Sequence, residues 1–202
     1  NVEWVLGDLR SKYQMHTISE MDIRSGSILV RNAYSPEFEH RYAFFDVNDD
    51  ARTFTADRAE FIGRNGTLAN PEAMNRVKLS GRLGAALDPC AALQVPFDLA
   101  EEEEKEIVFR LGAGKNINDV MSVIQYTDGT PVAKTALEKV RRYWDETLTA
   151  VQVQTPDAAT NILANGWLNY QTLASRIRGR SGFYQSGGAF GFRDQLQDVL
   201  SL

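Results

Sequence analysis

Ser27-Ile-Leu-Val-Arg-Asn-Ala-Tyr34 and Arg41-Tyr-Ala-Phe-Phe-Asp46 are two short runs dense in β-branched and aromatic side chains. Such residues suit a pleated, half-buried surface, so both runs are predicted as strands. Asn48-Asp-Asp50 and the Asn65-Gly66 pair are turn signals. Cys90 to Leu99 and Glu106 to Leu111 repeat the strand pattern. Several short strands at this spacing point to an antiparallel sandwich and away from alternating βαβ units.

Working outward, the character changes after Gly112-Ala-Gly114. Asn118 to Gln125 is predicted as a short helix. Thr130-Pro131 then supplies an N-cap and a first-turn proline for a helix carrying Val132, Ala136, Leu137, Val140, Tyr143, Trp144 and Leu148 at helical spacing. Pro156-Asp157 starts another helix. In it Ile162, Leu163, Ala164, Trp167, Leu168, Tyr170, Leu173 and Ile177 cover most of the circumference, a pattern that needs neighbours on every side. Periodicity assigns Trp167 and Tyr170 to a core, with the lining of a sugar cleft as the alternative.

Composition removes several function classes. Of 202 residues, 43% are hydrophobic and 24% charged, with a net charge of −5, so no global field draws nucleic acid or an anionic membrane. Arg176, Arg178 and Arg180 form a local feature only. The single cysteine, Cys90, cannot close an internal disulfide and fits a reducing compartment. His16 and His40 stand far apart with no Cys or His at metal-ligand spacing, so no structural zinc is expected. No apolar run reaches the ~20 residues of a membrane span, and the start does not read as a signal peptide. Asn1 is not a methionine and Leu202 falls inside an amphipathic pattern, so the chain is expected to belong to something longer. Glu101-Glu-Glu-Glu-Lys-Glu106 reads as a solvated turn that keeps a sheet edge soluble.

The segment most suggestive of chemistry is Arg178-Gly-Arg180-Ser-Gly-Phe-Tyr184-Gln185-Ser186-Gly187-Gly188-Ala-Phe-Gly191-Phe-Arg193-Asp194-Gln195-Leu-Gln197-Asp198. Glycines allow backbone N–H groups to approach a ligand, and here they run into a predicted helix from Arg193 to Leu202. Arg193 offers forked donors that match phosphate, and Asp194 an acceptor for sugar hydroxyls. The alternative is a glycine turn in which Asp194 caps a helix and Arg193 is a solvated first-turn residue. There is no Gly-Lys-Ser/Thr ending and no Gly-x-Gly-x-x-Gly after a strand, which argues against a nucleotide site.

Asn165-Gly-Trp167-Leu-Asn-Tyr170-Gln171, Arg180-Ser, and Tyr184 through Asp198 together resemble the inverting disaccharide phosphorylases of glycoside hydrolase family 94. Within it they are most similar to the branch acting on β-1,2-glucans: the phosphorylase region of cyclic β-1,2-glucan synthases and the 1,2-β-oligoglucan phosphorylases. The likeness extends through Asp57-Arg-Ala-Glu-Phe-Ile-Gly-Arg-Asn-Gly66, Leu79-Ser-Gly81, Gly84-Ala-Ala-Leu-Asp-Pro-Cys-Ala-Ala-Leu-Gln94 and Gln154-Thr-Pro-Asp157. The resemblance implies an α+β multidomain architecture: a β-sandwich over 1–113, a helical linker over 114–150 and the first helices of an incomplete (α/α)6 barrel over 151–202.

It also implies a reaction in which inorganic phosphate attacks the anomeric carbon of a terminal glucosyl unit and releases α-glucose 1-phosphate from a β-linkage. Phosphate is then a co-substrate, and no cofactor or metal is expected. Arg193 matches the family's phosphate-contacting arginine. Asp194 and Arg180 match residues lining the subsite of the reacting sugar. Between Gln185 and Gly191 the chain is shorter than cellobiose phosphorylases and lacks an arginine found there, so part of the sugar contact set differs. The family's general acid lies in a Trp-Asp-x-Asn-Asp-Gly type motif that nothing here matches. Asp194 is not taken for the acid, because an adjacent arginine favours its ionised form.

The expected catalytic residue therefore lies downstream of Leu202, and these residues by themselves are expected to be inactive. Expected partners are a β-linked glucooligosaccharide, phosphate and the rest of the polypeptide, with a homodimer possible and neither nucleic acid nor direct membrane contact. The expected location is cytoplasmic, including as a region of an inner-membrane protein. A non-catalytic carbohydrate-binding or architectural module of a glucan synthase is the alternative. An ordinary glycosidase would need two opposed carboxylates, and the Arg193-Asp194 pair counts against it.

Overall fold

A computed structural model describes residues 1–7, 10–34, 39–178 and 192–200; for 175, 176, 178, 192, 194, 195 and 198 it describes the backbone. The chain forms two compact units, Asn1–Ala133 and Lys134–Leu202.

The first unit contains β1 (Val2–Glu3), β2 (Thr17–Met21), β3 (Ile28–Asn32), β4 (Tyr42–Val47), β5 (Thr53–Asp57), β6 (Pro89–Gln94) and β7 (Phe109–Gly114). Its helices are α1 (Arg10–Tyr13), α2 (Arg58–Ile62) and α3 (Ile117–Tyr126). The strands pair antiparallel in a three-stranded sheet, β1-β6-β5, and a four-stranded sheet, β2-β3-β4-β7. Successive side chains of a strand point to opposite faces, and the central strands β3 and β4 of the larger sheet are covered on both. Ile28 and Val30 of β3 and Phe45 of β4 meet Trp4 and Ala91 in the core between the sheets. Their neighbours Leu29 and Phe44 turn the other way and pack on Val120 and Ile124 of α3. This double burial is why β3 and β4 read as nearly continuous apolar runs. Burying each such side chain contributes about 1.5–3 kcal/mol.

On the far face of the smaller sheet, Ala92 packs with Ala73 and Leu79. The sandwich expected from the sequence is therefore present, with a helix on one outer face and a short loop layer on the other. The strand expected over Cys90 to Leu99 ends at Gln94, ahead of Pro96, which has no N–H for a ladder. The strand expected over Glu106 to Leu111 is shifted, running from Phe109 through Gly114. Gly112 and Gly114 are not a break. A Cβ on Gly112 would sit 2.5 Å from the Phe44 ring, and one on Gly114 would sit 2.8 Å from Val120, so both let β7 approach its neighbours closely. The Asn65-Gly66 signal is displaced as well: Thr67 and Asn70 exchange backbone hydrogen bonds, which places the turn at Leu68 and Ala69. Glu101 to Glu106 is exposed, and Lys105 pairs with Asp49 at 2.7 Å.

α3 belongs to this unit, whereas the sequence reading opened a linker at residue 114. Its N-terminus is capped by Asn116, which accepts from the Asp119 N–H at 3.0 Å, while Asp119 accepts from the Lys115 N–H at 2.9 Å. Its C-terminal end is tied down by Arg110 of β7. That guanidinium donates to the Ile124 carbonyl at 2.9 Å and pairs with Asp46, which is fully buried on β4. Arg52 stands 3.6 Å from the same carboxylate and donates to the carbonyls of Val47 and Ser25. Two strands, two turns and a helix end thus share one charged joint.

α4 (Thr130–Leu148) begins at Thr130, the residue expected to cap it, one position ahead of the expected first turn. Gly129 supplies the carbonyl for the first intrahelical bond, from Ala133, and the Thr130 hydroxyl instead accepts from the Asn48 amide at 3.5 Å.

The second unit continues as α5 (Ala158–Ile162), a π-helical stretch (Leu163–Trp167), α6 (Leu168–Thr172), a second π-helical stretch (Leu173–Arg178) and α7 (Phe192–Val199). The first four segments follow without interruption. Asp157 caps the run as expected, accepting from the N–H groups of Ala159 and Thr160. The widened turns show in the Leu168 N–H, which bonds to Leu163, five residues back. Ahead of the run lies an extended segment. Asn165 accepts from the Val153 N–H at 2.7 Å and donates to the Val153 carbonyl at 2.8 Å. Asn161, one turn earlier, does the same to Thr155 at 2.8 and 3.1 Å. Among the described residues no helix is long and apolar enough to cross a membrane.

Candidate functional site

Of the residues expected to form a site, Arg193 and Asp194 open α7, and Arg180 lies outside the described residues. The Arg193 side chain is exposed. The segment expected to lead into a helix does so, since α7 starts at Phe192, one residue ahead of the expected start. Consecutive helical positions diverge by about 100°, so these two flank the helix start from neighbouring faces.

Trp167 and Tyr170 belong to an aromatic row. Tyr143 meets Trp144 edge-on with ring centroids 5.5 Å apart, Trp144 lies 5.2 Å from Tyr170, and Tyr170 lies 6.1 Å from Trp167. The burial expected for these rings is not supplied by the described residues: Trp167 is 52% exposed and Tyr170 42%. The reason is the neighbourhood, because among the described residues a helix apolar on most sides has few partners, α4 through Trp144 and α7 at its far end. Aromatic faces of this kind can cover apolar segments or the C–H faces of sugars.

The strings that carried the family resemblance converge in the first unit on a joint that sequence reading did not single out. Glu60, from the Asp57-to-Gly66 string, accepts hydrogen bonds from the Thr55 hydroxyl at 2.6 Å, the Ser80 hydroxyl at 2.5 Å and the Ser80 N–H at 2.8 Å. Arg76 stands 3.4 Å away. Burial would raise the Glu60 pKa, but the hydrogen bonds from Ser80 and Thr55 and the Arg76 charge outweigh it and hold it below the ordinary value. Asp57 accepts from the Ala59 N–H at 3.0 Å and from Arg82 at 2.6 Å. Next to Asp57, Arg58 bridges Glu3 at 2.5 Å and Asp88 at 3.8 Å, and Arg10 joins the same two carboxylates. Alternating i, i+3 carboxylates in Asp57-Arg-Ala-Glu60 are the signal that could have exposed this joint. It anchors loops, and its carboxylates are all engaged by arginines or hydrogen-bond donors.

Cys90 is buried on β6, and desolvation, reinforced by the charge of Asp57, pushes its thiol up to about 12. It is therefore no nucleophile. Among the described residues no cluster of His, Cys, Asp and Glu could hold a metal ion.

Residues 1–129 match the glycosyl hydrolase 94 supersandwich domain, and residues 143–202 match the catalytic domain of the glycosyl hydrolase 94 superfamily. The chain is 39% identical over 200 residues, 98% of its length, to cyclic beta-(1,2)-glucan synthase NdvB of Rhizobium meliloti, of which it spans 7%. It is 25% identical over 208 residues to the N,N'-diacetylchitobiose phosphorylase of Vibrio furnissii, spanning 26% of that protein. Over 150 residues it is 25% identical to the 3-O-beta-D-glucopyranosyl-beta-D-glucuronide phosphorylase of Paenibacillus borealis. The sandwich described above coincides with the first match, the end of α4 and the helices from α5 to α7 fall in the second, and the chain belongs to glycoside hydrolase family 94.

Proposed function

We propose that this chain is part of an inverting phosphorylase that cleaves β-1,2-linked glucan with inorganic phosphate. The observation that carries this reading is the 39% identity to a cyclic β-1,2-glucan synthase across nearly the whole chain, in a family whose other matched members are phosphorylases. In the reaction a phosphate oxygen attacks the anomeric carbon of the terminal glucosyl unit. The bond to the bridging oxygen breaks, an acid protonates that oxygen, and inversion gives α-glucose 1-phosphate. Phosphate brings its own nucleophilic charge, so the protein needs fixed donors to position it and one acid, with no base to activate water.

In this reading Arg193 contacts phosphate, while Asp194 and Arg180 hold hydroxyls of the reacting glucose. The general acid comes from elsewhere in the polypeptide, the helices after 150 open an (α/α)6 barrel, and α4 belongs to a linker leading into it. The region works in the cytoplasm, as a soluble enzyme or as part of an inner-membrane synthase, and pairing into a homodimer is compatible with it. A non-catalytic carbohydrate-binding or architectural role within a glucan synthase is the competing reading.

The test is incubation of the intact polypeptide with linear β-1,2-glucooligosaccharide, with and without inorganic phosphate. Product α-glucose 1-phosphate that requires phosphate supports phosphorolysis; free glucose without phosphate would replace it with hydrolysis. Arg193→Ala should then raise the phosphate concentration needed for half-maximal rate at least about tenfold, as loss of a charge-assisted contact requires. An unchanged phosphate response would remove Arg193 from that role.

A further inference from the structure

At the end of the sandwich where α3 terminates, a cleft of about 360 Å³ opens between the β2–β3 turn, the β4–β5 turn and the last turn of α3. It lies wholly within the first unit and takes no part in the site proposed above. The size falls within the range of about 300–1,000 Å³ usual for small-ligand pockets.

Its lining selects a chemistry. Three arginines, Arg24, Arg52 and Arg110, are matched by three aspartates, Asp22, Asp50 and Asp128. Arg52 and Arg110 also face the buried Asp46, so these two arginines are paired with carboxylates, and what the cleft offers is a dense array of donors and acceptors. Much of that array is pre-set. Asp22 is fixed by the Ser25 N–H and hydroxyl, both at 2.8 Å. Arg110 is held by Asp46, the Ile124 carbonyl and Asp128, the last at 3.2 Å. Other groups are left open: the Asp50 and Gln125 side chains are exposed and make no hydrogen bond or ion pair among the described residues, and Arg110 Nε is buried with no partner there. Beneath them Val47, Met121 and Ile124 provide an apolar floor. A floor for C–H groups, ringed by fixed and open polar groups, suits a neutral polyhydroxylated ring.

We propose that this cleft is a second saccharide-binding site, remote from the reacting phosphate, that holds a stretch of glucan chain against the sandwich. Only the β-1,2 linkage of that ligand rests on the proposed function; the saccharide class rests on the cleft. Asp50 and Gln125 accept from and donate to ring hydroxyls, and the Met121 side chain lies against the sugar's apolar face.

The experiment uses the intact polypeptide with 13C-methyl methionine, the Met121 signal being assigned with Met121→Leu. Linear β-1,2-glucooligosaccharide without phosphate should shift the Met121 methyl saturably. In the double variant Asp50→Ala/Gln125→Ala the apparent Kd at this signal should rise at least about fivefold, with phosphorolysis of a short donor unchanged. These side chains are exposed, so their removal leaves the fold intact. A Met121 signal unmoved by saccharide while phosphorolysis proceeds overturns the cleft and spares the proposed function. A saturable shift without any phosphorolysis keeps the cleft and removes the proposed function. A shift produced by inorganic phosphate or Mg2+ and not by saccharide overturns the ligand assignment.

Discussion

The two units treat their apolar side chains in opposite ways. In Asn1–Ala133 the central strands β3 and β4 find cover on both faces: Ile28 and Phe44 are almost wholly buried, on opposite faces of the same sheet, while at the sheet edge Phe109 and Leu111 of β7 stay exposed. In Lys134–Leu202 the apolar positions are as regular, yet Leu137, Val140, Ile162, Trp167 and Ile177 remain exposed among the described residues, and only Thr172 is buried in the run from Ala158 to Arg178. Patterning of equal strength therefore gives two outcomes, because amphipathicity specifies a face to bury and says nothing of what buries it. A sheet folded against another sheet and a helix closes its core locally. A helix apolar on several sides cannot.

The strongest way to break this contrast is to separate the units. Residues 1–133 alone should unfold in one cooperative thermal transition, and residues 134–202 alone should show none; a sharp transition in the second piece would refute the contrast. Next comes Asp46→Ala, which takes the buried counter-ion from Arg52 and leaves Arg110 with the exposed Asp128 as its carboxylate. The loss should be about 3–5 kcal/mol in urea unfolding, and a loss below about 1 kcal/mol would remove the charged joint from the account. Gly112→Ala forces a methyl into the Phe44 ring and should cost about 1–3 kcal/mol in the same assay.

In the second unit Asp157→Ala removes a helix cap, for about 1 kcal/mol of helix stability, read as lower ellipticity at 222 nm without a change in the midpoint of the first unit. The smallest effect concerns acid. The Glu60 pKa in the folded state lies below its ordinary value of 4.5, so its contribution is complete above about 4.5 and is lost as pH falls through the lower folded value. Glu60→Gln should flatten that part of the stability profile, and an unaltered acid limb would show that Glu60 does not set it.

How much of this could be read in advance differs with the physics of each element. β3 and β4 were legible because both faces are buried and their runs are unbroken. β2 was not singled out: Thr17-Ile-Ser-Glu-Met21 buries Thr17 and Ser19, whose polarity hides the alternation. β7 was placed too early because Gly112 and Gly114 look like punctuation, while their lack of side chains serves close contact with Phe44 and Val120. α3 was found, but its assignment to the sandwich depends on Leu29 and Phe44, far away in sequence. At the candidate site, the helix carrying Arg193 and Asp194 was legible from its glycine-rich approach. Their ligand roles came from resemblance to the family. The Glu60 joint was invisible because its partners, Thr55, Arg76 and Ser80, come from three separate segments.

The asparagine pair ahead of the helical run has a mechanical consequence. A side-chain amide carries the same donor and acceptor as a peptide group, so Asn161 and Asn165 grip Val153 and Thr155 as a neighbouring strand would. The segment from Val153 onward thus travels with the helix it precedes. On the other side, Thr149 is fastened to Asp145 through both its N–H and its hydroxyl. Slack between α4 and the run from Ala158 is confined to Ala150, Val151 and Gln152, and the side chain of Gln152 spans even that gap, donating to Leu148 at 2.8 Å and Asn165 at 3.4 Å. Three residues form the joint, and one glutamine acts as its stay.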